Sequence, residues 1–471
     1  MLKALVDWYR SRPEQPYVRP WGLAVPVLVL VVCLPLLRPV RYPDPTYMSE
    51  AELARLATVQ AIVEQRTLAI DQSDLRPPPT MLTRGYAEGR RSGGHYYSKQ
   101  PPVLAALLAG PYWVMHRFGL SFDRNLALSS YLLTLFGSTL PVAVAGGLVY
   151  RLGRLFELRR RWRTLLSFAA VFGSGLVSYA TVLNSHAPAA ALILATCGAL
   201  FHAGMARKRG ESHGWLVLAG LAAGLAAVID FGAFVFLFLL VFVILAMRWA
   251  VSSRVGGVGW YAFGALPALT LHAMLTAPMT GDFRPGFLHP ELQAAGTSAP
   301  ATQVMDPDEE EAGPSRTTVT LLRAVDGLVG SRGLFSHFPI LLLGVGGVAT
   351  VLHRNWPAAT KMMAGVTAAG GLVIIGVYVV TAENWNQPMF SVRWFIPFLP
   401  LTVFWGGVWL REKHHAAVWA AAGVVLGFSV LTTVIGATSP LTRCREGQYT
   451  AYGAARQLFT GPRAGPAIAD K

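Results

Sequence analysis

Two glutamates in the first fifth of the chain are of a type that can perform acid–base chemistry. Glu50 and Glu52 stand just ahead of Arg55, in a stretch whose apolar residues recur at helical spacing. A carboxylate in such a position can accept a proton from a reacting group. A structural interpretation also holds, because Ser49 and Glu52 are spaced as a helix capping box and Glu50 would favour a helix N-terminus electrostatically. The two interpretations do not exclude each other.

Three basic residues are of the type that binds anions such as phosphate. Lys99 lies in the stretch YSKQPP that begins at Tyr97, and Arg332 and Arg393 precede later apolar stretches. Lys99 could instead snorkel at the membrane interface. Arg393 could equally anchor the end of a helix.

Further polar residues stand at predicted helix ends. Asn184 and His186 could support a site or could only fix the end of a helix. Asp230 lies between two apolar stretches and is predicted to be a turn residue rather than an acid within the membrane. His272 and His337 flank a later loop, and we predict no metal site because two histidines alone do not make one.

The elements that carry these residues follow from the distribution of apolar residues. Of the 471 residues, 53% are hydrophobic and only 14% are charged. The apolar residues fall in long stretches, many of which reach the roughly 20 residues that a helix needs to cross the hydrocarbon layer. We therefore predict an all-α polytopic membrane protein.

Basic residues exceed acidic ones by 40 to 25, which gives a formal net charge of +15. They cluster between apolar stretches without interleaved aromatic residues, which is typical of cytoplasmic loops and not of nucleic-acid binding. Cys33, Cys197 and Cys444 are too scattered for a metal site. No small-residue cleavage site follows the first apolar stretch, so we predict an anchor helix rather than a removable signal.

The apolar stretches predict about 11 spanning helices, with the N-terminus in the cytoplasm. This orientation places the basic loops on the cytoplasmic side, as the positive-inside rule requires. The predicted spans are residues 22–37, 126–150, 164–183, 187–205, 214–229, 231–249, 257–277, 335–352, 360–381, 393–410 and 416–437.

Residues 1–437 are predicted to form one transmembrane domain, and residues 438–471 an irregular tail on the outer face. Two long outer loops interrupt the domain, at 38–125 and 278–334. The second loop contains an acidic stretch, 306–311, that is predicted to be mobile.

Two juxtamembrane helices are predicted in the first outer loop. The stretch 101–118 has too short an apolar part to span, so we place it beside the membrane. A second helix is predicted to be amphipathic and to lie on the membrane surface. Its apolar face would consist of Leu53, Leu56, Val59 and Val63.

The first outer loop resembles the type C glycosyltransferase superfamily, in the branch of protein O-mannosyltransferases and aminoarabinose transferases. Members have an acidic residue ahead of an Arg-containing amphipathic helix, followed by a Tyr-x-Lys-Pro-Pro stretch. Here Glu52 or Glu50 would be the acidic residue, and the stretch from Tyr97 would be the second motif. Segments around Asn184-Ser185-His186, Arg332 and Arg393 resemble recurring stretches of bacterial relatives.

The chain departs from this pattern at two places. Members usually have Asp where this chain has its glutamates. They also have Lys directly before Pro-Pro, where this chain has Gln100 with Lys99 one place earlier.

The resemblance implies inverting transfer of a sugar from a polyprenyl-phosphate donor to a glycan, lipid or protein acceptor, on the outer face of the cytoplasmic (inner) membrane. Glu52 would be the first-choice base and Glu50 the second. Lys99, Arg393 and Arg332 would bind the donor phosphate. Residues that could support the site are Arg55, Tyr97, Asn184, His186 and His337. The expected partners are the lipid donor, the acceptor and membrane lipid, without nucleic acid. No cofactor is assigned with certainty, and a divalent cation is left open.

Two other functions remain compatible with the sequence. A transporter or flippase of lipid-linked precursors would have ionisable residues within its spans and helices broken at the midplane, and the spans hold almost none. The second alternative is a non-catalytic relative that binds lipid, and the two departures from the family pattern are compatible with it.

Overall fold

A computed structural model describes residues 20–42, 44, 47–75, 82–84, 95–206, 208–247, 254–281, 316–381, 389–412, 415–442 and 447–460. These residues are mostly helical, with one pair of short antiparallel strands. The prediction of an all-α fold is thereby confirmed. The acidic stretch 306–311 and Cys444 lie outside the described residues.

The helices are α1 (Pro20–Cys33), α2 (Arg38–Arg41), α3 (Glu50–Gln60), α4 (Pro102–Arg117), α5 (Phe122–Thr134), α6 (Leu140–Leu152), α7 (Arg160–Phe172), α8 (His186–Met205), α9 (Arg209–Ile229), α10 (Phe231–Ala246), α11 (Arg254–Thr280), α12 (Arg316–Leu328), α13 (Leu334–His337), α14 (Leu341–His353), α15 (Ala358–Thr381), α16 (Leu399–Phe404), α17 (Gly407–Glu412), α18 (Ala416–Thr438) and α19 (Thr450–Thr460). The strands β1 (Leu82–Arg84) and β2 (Tyr96–Ser98) lie between α3 and α4 and pair with Thr83 opposite Tyr97.

Seven stretches of the described residues are long and apolar enough to cross a membrane. Helices α10 and α14 are also apolar but shorter. The chain is therefore a multi-pass membrane protein. The seven stretches are Trp21–Arg41, Phe122–Phe156, His186–Met205, Arg209–Ile229, Arg254–Thr280, Ala358–Thr381 and Ala416–Thr438.

The predicted number of 11 spans is not confirmed, because two of the predicted spans are interrupted. Helix α7 ends at Phe172, and Gly175 beyond it has a φ of +74°, which only glycine adopts readily. The predicted span 393–410 is divided into a single turn at Arg393, then α16 and α17. Pro397 and Pro400 lack the N–H that a continuous helix would need there.

Helices α9 and α11 approach each other until their backbones touch. A β-carbon added at Gly220 would lie 1.9 Å from the carbonyl oxygen of Tyr261, and one at Gly264 would lie 2.1 Å from that of Val217. Only glycine permits this distance, and small residues are the usual means of close helix packing in membranes.

Contrary to the prediction of a membrane-surface helix, α3 is enclosed by the protein. Every residue from Glu52 to Gln60 is buried. The apolar side of α3 joins a cluster with α4, in which Leu56 and Leu104 are both buried. Its polar side faces other charged groups of the molecule, so neither side needs the membrane surface.

Hydrogen bonds among polar side chains hold together the segment that follows α3. The amide of Gln60 donates to Glu64 at 3.1 Å and to Asp74 at 2.9 Å. The hydroxyl of Tyr112 on α4 donates to the other oxygen of Glu64 at 2.5 Å. These bonds fix the path of the chain on either side of the two strands.

The tail, predicted to be irregular, contains helix α19 within its described part. Thr450 at the start of α19 donates its N–H to the carbonyl of Ser331 at 3.1 Å. Its hydroxyl accepts from the N–H of Ser391 at 3.1 Å. Burial of Ala451 and Ala454 stabilises the helix against the main core, which sequence periodicity over so short a stretch did not reveal.

Candidate functional site

The carboxylate of Glu52 is enclosed and paired with an arginine from the end of the first span. Its Oε1 accepts from Nε of Arg38 at 3.0 Å and lies 3.0 Å from Nη2. The two side chains are 0% and 4% exposed. Oε2 of Glu52 accepts no hydrogen bond from the described residues. Arg38 therefore balances the charge of Glu52 and fixes its position.

Glu50 differs from Glu52 in being exposed at the first position of α3. Its charge acts on Arg393, so the two residues share one electrostatic region. The hydroxyl of Ser49 accepts from the N–H of Glu52 at 3.1 Å, which is half of the predicted capping box. The other half is absent because the Glu52 carboxylate turns to Arg38.

Arg55 lies one turn after Glu52 and is 3% exposed. Its Nη2 donates to Oε1 of Gln100 at 2.9 Å, and its Nη1 donates to the carbonyl of Leu183 at 3.5 Å. Its Nε has no hydrogen-bond partner among the described residues. The guanidinium thus has only neutral partners, which leaves a buried charge incompletely compensated.

A second arginine reinforces the positive charge at this place. Burial and, after it, the charge of Arg393 lower the pKa of Arg55 to about 10, against the opposing charges of Asp230 and Glu52. Burial likewise lowers the pKa of Arg393, and the charges of Glu50 and Asp230 oppose it. We call this part of the molecule, formed by Arg55 and Arg393, the cation region.

Arg332 lies on the same side of the molecule as Arg393. The charges of both act on the hydroxyl of Tyr179, whose O–H donates to the carbonyl of Phe390 at 2.6 Å. The carbonyl of Arg332 accepts from the hydroxyl of Ser391 at 2.9 Å. Both arginines therefore lie within electrostatic reach of Tyr179.

Asp230 is the turn residue that the sequence predicts, but it also forms a buried charged cluster. Its Oδ1 accepts from the N–H of Gly232 at 3.0 Å and so caps α10. Its Oδ2 lies 2.5 Å from Nδ1 of His186 and accepts from the hydroxyl of Ser185 at 3.0 Å. Asp230 is 2% exposed, and the His186 ring lies directly against its carboxylate.

Asn184 fixes the start of α8. Its Oδ1 accepts from the N–H of Ala187 at 2.9 Å, as a helix cap does. Its amide donates to the carbonyls of Tyr179 at 2.5 Å and Val182 at 2.8 Å. These bonds match the structural interpretation of Asn184, which in turn positions its neighbour His186.

The motif that begins at Tyr97 does not place its lysine as expected. Lys99 is partly exposed and makes no hydrogen bond or ion pair within the described part of the chain. Tyr97 packs with Ala69 and Met279 in a separate small cluster, and burial and the charge of Asp71 raise its pKa. Only Gln100 contacts the cation region.

His337 is a buried structural residue away from these charges. Its Nδ1 lies 2.8 Å from the carbonyl of Gly333, and its Nε2 lies 2.7 Å from the hydroxyl of Thr450. The carbonyl can only accept, so Nδ1 carries the proton and Thr450 donates to Nε2. Burial lowers the pKa of His337 to about 4. We call His337, Thr450 and Gly333 the histidine region.

Among the residues that the structure describes, no group of three or more His, Cys, Asp or Glu side chains could hold a metal ion. Within this part of the chain, Nε2 of His272 lies 3.5 Å from the Thr276 hydroxyl.

Sequence reasoning missed three members of the site. From the sequence, Arg38 was only the boundary residue of a predicted loop, Gln100 a departure from a motif, and Asp230 a predicted turn residue. The sequence did carry one signal, which is a charged residue next to residues of types that are usually buried. Arg38 and Asp230 both directly adjoin apolar stretches. Their partners lie 14 and 44 to 45 residues away, which spacing alone does not connect.

Comparison with solved structures gives matches of low sequence identity. ArnT from Cupriavidus metallidurans in the apo state matches with a TM-score of 0.50 and 14% identity, over 88% of this chain and 63% of that chain. ArnT from the same organism bound to undecaprenyl phosphate has a TM-score of 0.49 and 14% identity, over 89% of this chain and 70% of that chain. No family model and no curated protein matches the chain.

The chain spans about 63% of the length of the apo ArnT structure. ArnT is an aminoarabinose transferase of the type C glycosyltransferases. At 14% identity the likeness concerns the arrangement of the helices. The chain is thus a polytopic membrane protein with the type C glycosyltransferase fold, as the resemblance of its first outer loop predicted.

Proposed function

We propose that the chain is a membrane glycosyltransferase that moves a sugar from a polyprenyl-phosphate donor to a glycan, lipid or protein acceptor. The observation that carries this proposal is the cation region. Arg55 is buried with only neutral hydrogen-bond partners beside a second arginine. A buried cation is costly without an anion, and a bound phosphate would supply one. The shared fold supports glycosyl transfer as the reaction class.

Arg55 and Arg393 would bind the donor phosphate, with Arg332 farther along the same side. In the resembling families a lysine stands directly before Pro-Pro. Here Gln100 occupies that position and accepts from Arg55, so it orients a cation instead of supplying one. As the bond from the sugar to phosphate breaks, the two guanidiniums would stabilise the charge that develops on the leaving oxygen.

The first outer loop offers two carboxylates for the acceptor proton. Glu50 is exposed and its charge acts on Arg393, whereas Glu52 is fully enclosed with Arg38. A base must reach the proton that it accepts, which favours Glu50 of the two. Glu52 would then support the site by holding Arg38 and the start of α3.

We propose that the site faces the outside of the cytoplasmic membrane, with the N-terminus inside. Helix α9 begins at Arg209 in a basic loop and ends at Ile229, directly before Asp230. The site and this basic loop therefore lie at opposite ends of a spanning helix. The positive-inside rule then places the site outside.

The test is sugar transfer from radiolabelled undecaprenyl-phosphate hexose in membranes that contain the wild-type chain or Arg55→Met. We expect label in an acceptor with the wild type, and a loss of about 30-fold or more with Arg55→Met, as for removal of one partner of a buried charge contact. Arg411→Met is the matched control, because Arg411 pairs with Glu157 at 3.4 Å in a partly exposed contact.

Equal transfer by Arg55→Met would remove the cation region from the reaction. Absence of transfer by the wild type, with undecaprenyl phosphate still bound, would favour a lipid-binding relative or a transporter. Loss of transfer with Glu50→Gln but normal lipid binding would support a loop carboxylate as the base.

A further inference from the structure

The imidazole of His186 is held in a fixed orientation by the carboxylate of Asp230, both oxygens of which are engaged. Asp230 uses Oδ1 to cap α10 and Oδ2 to contact His186 and Ser185, and its side chain is 1% exposed. The separation of 2.5 Å between Oδ2 and Nδ1 of His186 fixes the ring against it. Asn184 fixes the backbone one residue before Ser185.

The other ring nitrogen of His186 is left available. A carboxylate partner at Nδ1 places the ring proton there, so the lone pair of the neutral ring is on Nε2. Nε2 makes no hydrogen bond with the described residues, and the side chain is 11% exposed. A carboxylate-oriented histidine with an accessible Nε2 is the arrangement in which imidazole acts as a general base.

The pair lies beside the cation region. The charge of Asp230 acts on both Arg55 and Arg393, and Arg55 donates to the carbonyl of Leu183, three residues before His186. The charged groups that adjoin His186 are therefore Asp230 and, through Asp230, the two arginines of the cation region.

We propose that His186, positioned by Asp230, is the general base that accepts the proton of the acceptor hydroxyl. This inference rests on the proposed function, and it assigns the role of general base to His186 instead of Glu50 or Glu52. The acceptor oxygen forms a bond to the anomeric carbon and gives its proton to Nε2. The bond from that carbon to the phosphate oxygen breaks, and its electron pair leaves with the phosphate. Asp230 stabilises the resulting imidazolium, which then loses its proton to water.

The first experiment is the pH profile of kcat/KM for transfer from undecaprenyl-phosphate hexose. In the wild type we expect the rate to fall in acid with a single ionisation, because only neutral imidazole accepts a proton. His186→Gln should lower the rate about 100- to 10,000-fold and abolish this acid limb. The matched control is His202→Gln at the other end of α8, where the ring stacks on Trp215 at 4.7 Å.

Asp230→Asn tests whether Asp230 orients His186, separately from its role in folding. Asparagine caps a helix as well as aspartate does, so α10 keeps its cap. The amide no longer stabilises the imidazolium that forms in the reaction, so we expect kcat to fall with little change in KM. An unchanged kcat in Asp230→Asn would overturn the positioning role.

A readout independent of transfer is carbethoxylation by diethyl pyrocarbonate, followed peptide by peptide with mass spectrometry. The accessible Nε2 of His186 should react, and His337 should not, because both of its ring nitrogens are bonded. Protection of His186 would overturn the proposed geometry even if transfer were found. Transfer by the wild type with an intact acid limb in His186→Gln would overturn the base assignment and leave the proposed function standing.

Discussion

The cation region and the histidine region are both buried and polar, but they differ in how completely their polar groups are paired. In the histidine region, His337 bonds through both ring nitrogens, and Thr450 both donates and accepts. In the cation region, Arg55 has neutral partners and an unbonded Nε. The two regions are close in the chain, since Ser391 bonds to Thr450 and Arg393 follows two residues later.

The difference teaches how to separate structural polar residues from ligand-binding ones. A fully paired network fixes one conformation and needs nothing further. An incompletely paired buried charge costs stability unless a ligand completes it. The comparison therefore favours a framework role for His337 and supports the proposed binding role of Arg55, although the sequence marked both as supporting residues.

The largest expected effect comes from breaking the ion pair that adjoins the cation region. Glu52→Ala leaves Arg38 buried without its carboxylate, so we expect a loss of about 3–5 kcal/mol in the free energy of unfolding. The measurement is the thermal unfolding of the protein in detergent. Asp71→Ala is the control, because His95 in that pair is 73% exposed and such pairs contribute about 1 kcal/mol or less. Equal losses in the two variants would contradict the enclosed pair.

Arg55→Met should have opposite effects on binding and on stability. Affinity for undecaprenyl phosphate should fall by about 2–5 kcal/mol, since a buried charge contact is lost. The ligand-free protein should unfold at the same or a higher Tm, because a poorly compensated buried charge is removed. Thermal unfolding with and without the lipid measures both quantities. A large loss of stability without lipid would place Arg55 with the framework instead.

The histidine region should make the protein sensitive to acid. The folded pKa of His337 is about 4, below its ordinary value of 6.5, so the folded state binds fewer protons. Its contribution to stability is complete above pH 6.5 and is lost as the pH falls towards 4, by roughly 3 kcal/mol. Unfolding of the wild type and His337→Gln across this range tests the effect. A parallel pH dependence in the two proteins would contradict it.

The smallest expected effect is that of Thr450→Val, which removes a neutral hydroxyl from the histidine region. Nε2 of His337 and the N–H of Ser391 would each lose a partner, at about 1–3 kcal/mol. Binding of undecaprenyl phosphate should not change. Thr460→Val at the other end of α19 is the control, because its side chain is exposed and its hydroxyl donates to the carbonyl of Arg456. A loss of lipid binding in Thr450→Val would show that the histidine region also contributes to lipid binding.

Much of the fold was predictable from the sequence, because the length of an apolar stretch decides whether a helix can cross a membrane. The positions at which predicted spans are interrupted were harder to predict. Gly175 ends the predicted span 164–183 by its positive φ and its approach to Phe338, and neither shows in hydropathy. The enclosed position of α3 depends on α4 and on Arg38, which are tertiary partners.

The candidate site was predictable by residue type but not by pairing. Glu52, Arg55, Arg393 and His186 were all marked from motifs, yet a motif does not say which charge meets which. The assignment of phosphate binding to Lys99 stays a prediction, without a contact among the described residues to support it. The pairing of Arg38 with Glu52 and of Asp230 with His186 was not foreseen, because the partners come from distant parts of the chain.

The close approach of α9 and α11 at Gly220 and Gly264 has a consequence for motion. Two helices in backbone contact cannot slide or rotate against each other without a clash, so they move as one rigid body. Asp230 follows α9 directly and is carried by that body together with its contact to His186. If the proposed lipid donor requires the protein to open, we expect the movement elsewhere, at the helix interruptions around Gly175 and between Arg393 and Gly407.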